Sequence, residues 1–315
     1  MSQNSFTSNS SYKLYLLVLL VCSALLCAFV LLIGHINHLR HVHMPYEDIY
    51  QYQMEKIKNA GPTDTIFLGD SSLGNAINAA LWSKLTKDNT MNLALTAGYG
   101  YEGAYVMLIN ALASNMHPKN VVIFFYPRQI MEGTSDLIFL ESPALFGNPD
   151  VPLQRRLMLS WKMNMNIDSL VSNLRNLFKK KVVVKQNPEF TNDYMAQLPV
   201  ERKDSKLAVT LREIEPKPVS PETILYLKKI YETCENNNLR CIYVHGPIIG
   251  SDCHAMDKVI ETADMHMKQI GFEIVKGTPV CAPYSHMGDV PFHLRPEVKD
   301  LYTRKYYELI KPYWH

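Results

Sequence analysis

Residues 65–78 read TIFLGDSSLGNAIN. Thr65, Ile66, Phe67 and Leu68 make an apolar, β-branched run that predicts a short buried strand. The run stops at Gly69-Asp70-Ser71, and residues 76–85 then predict a helix. Gly, Asp and Ser are common in plain turns and caps, so the triplet alone fits a connection without chemistry. It fits equally a serine presented at the carboxyl edge of a sheet, where open α/β sheets bind their ligands.

Strand and helix signals alternate outward from this stretch. Residues 91–95 predict a second strand, residues 102–116 a helix, and VVIFFY at 121–126 a buried parallel strand closed by Pro127. Ser220-Pro221-Glu222 opens a helix with a cap residue followed by proline at its first position, and the asparagines at 236–238 end it. Residues 241–244 and 272–275 predict further strands, and residues 255–270 and 296–310 further helices. Such alternation implies an α/β fold, a parallel sheet with helices on both faces. Between residues 128 and 219 the rhythm breaks. Prolines at 143, 149, 152 and 188, a Met-rich helix near residues 161–178 and Lys179-Lys180-Lys181 predict an insertion over the top of the sheet. The lysines suit a solvated helix end or an anionic contact.

Residues 14–33 form LYLLVLLVCSALLCAFVLLI, twenty residues without a formal charge. About 20 apolar residues cross a bilayer core as one helix. The run is longer than a signal-peptide core and no small-residue cleavage site follows, so it predicts an uncleaved anchor. Lys13 on one side and Arg40, Lys56 and Lys58 on the other leave the positive-inside bias neutral. The expected organisation is a tail (1–13), an anchor (14–33), a juxtamembrane linker (34–60) and one α/β domain (61–315). His35, His38, His41 and His43 in the linker lack a carboxylate or cysteine at a fitting distance, and no metal is expected there. A net charge of +2 is too small for a dedicated nucleic-acid binder, and no nucleic-acid partner is expected.

Near the other end, GDVPFHLRPEV at 288–298 places Asp289 four residues before His293, ahead of the last helix. A serine hydroxyl is a weak nucleophile and needs a base with an orienting acid. Asp289 can accept from one imidazole nitrogen while the other takes the Ser71 proton. By itself the loop is also an ordinary helix entry. GDS after the first strand and Asp-His before the last helix together resemble the SGNH/GDSL hydrolase superfamily over about residues 65–301. The resemblance implies a flavodoxin-like three-layer sheet, Ser71 as nucleophile, His293 as general base and Asp289 as its orienting acid. The acid and histidine of that family are commonly separated by two residues, whereas three separate them here. The form D…FHL is similar to membrane-anchored relatives that acylate cell-envelope polymers, including the DltD-like proteins.

Acyl transfer also requires stabilisation of an oxyanion. The resemblance gives this role to the Ser71 N–H and to the Gly98 N–H in NLALTAGYGYEG (92–103), where Gly98 also suits a turn with positive φ. The family's third donor, an asparagine after the next strand, is absent; FFYPRQ stands there and Gln129 is the available substitute. Ser72 reads as a cap of the following helix. His245 reads as a packed or pocket-wall residue, and Tyr99, Tyr101 and Tyr105 as core or acceptor surface. His254 and His286 lack matching ligands. No metal and no cofactor are expected. Cys234, Cys241, Cys253 and Cys281 lie outside the span and allow three pairings.

The resemblance implies an anchored serine esterase or O-acyltransferase acting through an acyl-serine intermediate. Its partners would be an acyl donor, a glycan or polymer acceptor and a membrane-bound O-acyltransferase, with the domain outside the cytoplasm. The absent asparagine fits the other reading, an anchored assembly or binding subunit that keeps the fold without turnover.

Overall fold

The computed structural model describes residues 8–39, 45–136, 214–288 and 290–314, and isolated positions from 138 to 175. The helix expected near residues 161–178 (apart from Val171 and Arg175), the lysines at 179–181, and His41, His43 and Asp289 lie outside the described residues. The chain divides into two units, one formed by residues 1–44 with 146–184 and the other by residues 45–145 with 185–315.

In the first unit, helix α1 runs Ser8–Leu39. Its window Tyr12–Phe29 has a mean hydropathy of 2.2, long and apolar enough to cross a membrane.

The second unit is an α/β fold around a five-stranded, fully parallel sheet. Its strands are β1 (Thr65–Gly69), β2 (Thr90–Ala94), β3 (Asn120–Phe125), β4 (Arg240–His245) and, after a two-residue strand β5 (Ile248–Ile249), β6 (Glu273–Ile274). The order β2-β1-β3-β4-β6 reverses direction once, at β1, and β5 pairs separately with β7 (Cys281–Ala282). Every residue of β1 is buried, as a central strand covered on both faces requires. On one side pack α5 (Gly100–Leu112), α6 (Pro221–Asn236) and α7 (Asp257–Ile270), successive neighbours of each other. On the other, α8 (Lys299–Ile310) packs on α3 (Ser71–Ala76) and α4 (Ala79–Thr86).

The sequence predicts one helix over residues 76–85, and the structure has two. Helix α3 starts at Ser71 because Asp70 caps it, and it stops at Ile77, which is extended. Asn78 then caps α4 by accepting the Leu81 N–H at 2.8 Å. The buried Asn92 side chain closes the break by donating to the Ile77 carbonyl at 2.9 Å. Ser72, expected as the cap, instead receives it.

A second difference concerns the linker. Residues 45–59 form helix α2 (Pro45–Asn59), which buries Ile49, Tyr50, Gln53 and Ile57. Gln53 Nε2 donates to the Ala94 carbonyl at 2.7 Å, and Lys56 Nζ donates to the Asn92 carbonyl. These are the outward carbonyls of β2, the outermost strand.

Candidate active site

β1 delivers Ser71 to the carboxyl edge of the sheet. Gly69 permits the delivery: a Cβ there would lie 1.8 Å from the Phe124 carbonyl oxygen on β3. Next comes Asp70, fully buried, with a carboxylate that joins two elements. Oδ1 accepts the Ser72 N–H at 2.9 Å and the Ser72 hydroxyl, and Oδ2 accepts the Tyr126 N–H at 3.1 Å. Burial pushes the Asp70 pKa up, opposed by these hydrogen bonds and by the charge of His293. All three contacts are donations to the carboxylate, the pattern an ionised acid needs.

His293 Nε2 lies 2.7 Å from Ser71 Oγ, across 222 residues of chain. The histidine sits on a short hairpin in which Met287 and Leu294 form an antiparallel bridge. The Gly288 N–H donates to the His293 carbonyl at 2.6 Å and the Arg295 N–H to the His286 carbonyl at 2.9 Å. The Ile249 N–H of β5 donates to the Pro291 carbonyl at 2.8 Å. Behind β5, the disulfide Cys253–Cys281 bridges the turn after β5 to β7. Two of the four cysteines outside the span are thus paired. Cys234 and Cys241 are free thiols in mutual contact, and burial followed by the Cys234 neighbour raises the Cys241 pKa well above its ordinary value.

Gly98 lies in the 3₁₀ turn Ala97–Tyr99 after β2, the neighbour of β1. Its φ is outside the left-handed region, and it is Gly100 that turns with φ +53°. A Cβ at Gly98 would meet the tip of the Ile138 side chain, Cδ1 at 2.1 Å. Gln129 is buried in the turn after β3, with Nε2 donating to the carbonyls of Ala97 at 2.9 Å and Glu132 at 3.3 Å. The bond to Ala97 ties the loop after β3 to the loop after β2 and the bond to Glu132 closes the turn of Gln129 itself, so in this arrangement Gln129 braces the scaffold.

The chain matches no known family model and no curated protein.

Most of the other sequence candidates fall into the packing, whereas His254 is exposed. His245 is fully buried with Nε2 2.8 Å from Asp264 Oδ1. Tyr99 stacks on Tyr50, and the Tyr101 hydroxyl meets that of Tyr243 at 3.0 Å, so both rings belong to the core. Tyr105 packs against Tyr226. His286 Nδ1 lies 3.1 Å from the Tyr302 hydroxyl, and His254 lies 3.7 Å from Asp257. Among the described residues, no group of three or more His, Cys, Asp or Glu side chains is arranged to hold a metal ion.

Sequence reading alone passed over Asp70, Tyr126 and Phe292. Asp70 stands inside the quoted GDS and Phe292 directly before His293, but side-chain bonds to a distant main chain leave no spacing signature.

Proposed function

We propose that the chain is a membrane-anchored serine enzyme of the SGNH hydrolase kind, which moves an O-acyl group through an acyl-Ser71 intermediate. The observation that carries this reading is the 2.7 Å contact between His293 Nε2 and Ser71 Oγ at the carboxyl edge of the sheet. The 2-1-3-4-6 strand order supports it, being the single-reversal order of flavodoxin-like sheets.

For Nε2 to accept the serine proton, the imidazole carries its own proton on Nδ1. Asp289, by the family resemblance, is the acid that holds that proton. Ser71 Oγ attacks the ester carbonyl carbon as its proton passes to His293. Collapse of the tetrahedral intermediate breaks the ester C–O bond, and the leaving alkoxide takes the proton from His293. In the second half, an incoming hydroxyl gives its proton to His293 and attacks the acyl carbon, and Ser71 recovers the proton on release. The N–H groups of Ser71 and Gly98 are the oxyanion donors of this scheme.

The acceptor hydroxyl is assigned to a glycan or envelope polymer, with a membrane-bound acyltransferase supplying the acyl group. The Cys253–Cys281 bond supports an extracytoplasmic domain, because disulfides persist in oxidising compartments. One observation favours the second reading, a non-catalytic assembly subunit: the Gln129 amide is engaged with carbonyls, and FFYPRQ at 124–129 holds no asparagine.

A serine-directed fluorophosphonate decides between them. Wild-type chain in detergent should label at Ser71, and Ser71→Ala should abolish labelling with an unchanged melting curve. Persistent labelling of Ser71→Ala moves the nucleophile elsewhere, and absence of wild-type labelling favours the assembly subunit.

A further inference from the structure

A contact between side chains 222 residues apart requires both to be held in register. Ser71 is held by α3. His293 rides on a hairpin, and the residue before it supplies a second attachment besides Pro291. The Phe292 ring lies on the Tyr126 ring, with centroids 4.3 Å apart and planes inclined by 24°. The His293 ring meets Phe292 edge-on, with centroids 4.9 Å apart and planes at 80°.

Tyr126 is fixed at both of its ends. Its N–H is held by Asp70 Oδ2 at 3.1 Å. Its hydroxyl donates to Met256 Sδ at 3.5 Å. Burial pushes the Tyr126 pKa up to about 12, so this donor keeps its proton through the neutral range. Met256 belongs to a buried apolar cluster with Ile248, Cys253 and Val259, against which Tyr126 packs.

Asp70 therefore bonds both the helix start that carries the nucleophile and the strand end that seats the hairpin of the base. We propose that Phe292, stacked on Tyr126, is the positioning residue for His293, and that Asp70 is the anchor common to the two halves of the dyad. The proposal rests on the acyl-serine reading above. Phe292 touches the imidazole and, in this scheme, no reacting atom. Its effect therefore belongs in the rate of serine activation and not in substrate affinity.

The test uses full-length chain in detergent. A small misplacement of a reacting group can cost about 10²-fold, so Phe292→Leu should slow fluorophosphonate labelling of Ser71 by roughly that factor. Phe292→Tyr, which keeps the ring, should restore labelling to near the wild-type rate. With a small activated ester, kcat should fall in Phe292→Leu while KM holds. Equal losses in both variants, wild-type labelling in Phe292→Leu, or a change confined to KM would overturn the proposal.

A second pair guards against a misfolded Phe292→Leu and against an inert serine. Tyr126→Phe keeps the stacking ring, whereas Tyr126→Leu removes it. With ¹³C-labelled histidine, the His293 Cε1–H signal should shift in Tyr126→Leu and stay in place in Tyr126→Phe. If wild-type serine takes no probe, the acyl-serine reading fails and this signal alone decides the clamp. A His293 signal unmoved by Tyr126→Leu sinks it.

Discussion

Removal of the Cys253–Cys281 bond measures what holds the platform behind the His293 hairpin. The bond closes a sequence separation of 28 residues. In the chain-entropy treatment such a loop loses about 12 cal/mol/K in the unfolded state, or about 3.6 kcal/mol at 25 °C. For a folded unit of this size each kcal/mol moves the melting midpoint by about 2–4 °C, so the expected loss is about 7–14 °C. Alanine at both positions is the suitable change, because Cys253 is buried and a serine there would bury a hydroxyl. The assay is thermal unfolding of full-length chain in detergent, comparing Cys253→Ala/Cys281→Ala with wild type, with and without reductant. Reductant should bring wild type close to the double variant and leave the double variant unchanged. Ser71 labelling should slow in the double variant, since the turn after β5, the strand that holds Pro291, loses its covalent tie to β7. A midpoint shift under about 2 °C, with the bond verified by mass spectrometry, would refute the loop-entropy reasoning. Free thiols at both positions in protein purified without reductant would remove the bond, and its support for an extracytoplasmic domain.

Two further outcomes follow from the elbow around Ser71. Gly69→Ala drives a Cβ to 1.8 Å from the Phe124 carbonyl oxygen, so it should destabilise by about 3 kcal/mol and slow labelling; a wild-type urea midpoint would contradict the close approach of β1 to β3. Asp70 has a folded pKa above its ordinary 3.8, raised chiefly by burial, so the native state binds this proton more tightly than the unfolded chain. Its stabilising contribution is complete below that value and is lost as pH rises through the folded pKa. The melting midpoint of Asp70→Asn minus that of wild type should therefore increase from pH 4 to pH 7, and a difference that falls with pH would reverse the sign assigned to this carboxylate.

Much of the fold was legible because parallel strands buried on both faces write continuous apolar runs. The strands expected at 65–68, 91–95, 121–126 and 241–244 lie within one residue of β1 to β4 at each end. Ser71 and His293 were legible as residue types at the ends of such elements, and the structure brings them together. Helix α2 was not legible as part of the fold. Its buried line, Ile49-Gln53-Ile57, has the right i, i+4, i+8 spacing, but the central member is polar and faces inward for the Ala94 carbonyl. The start of α3 was hidden because Asp70 serves both a turn and a cap, and only the Tyr126 contact reveals its second task. The positive φ that Gly98 suited in the sequence belongs instead to Gly100, two residues on.

The two bonds from α2 to β2 carry a consequence for where the folded unit begins. An outermost strand with bare carbonyls is a template on which a second copy can add its own strand. Gln53 and Lys56 occupy those acceptors, so α2 shields the sheet from its neighbours as well as packing upon it. Cutting the chain at residue 61, where the strand-and-helix rhythm starts, would strip that shield and leave a self-adhesive edge. The compact unit that holds the sheet starts at Pro45, and helix α2 belongs to the sheet it guards.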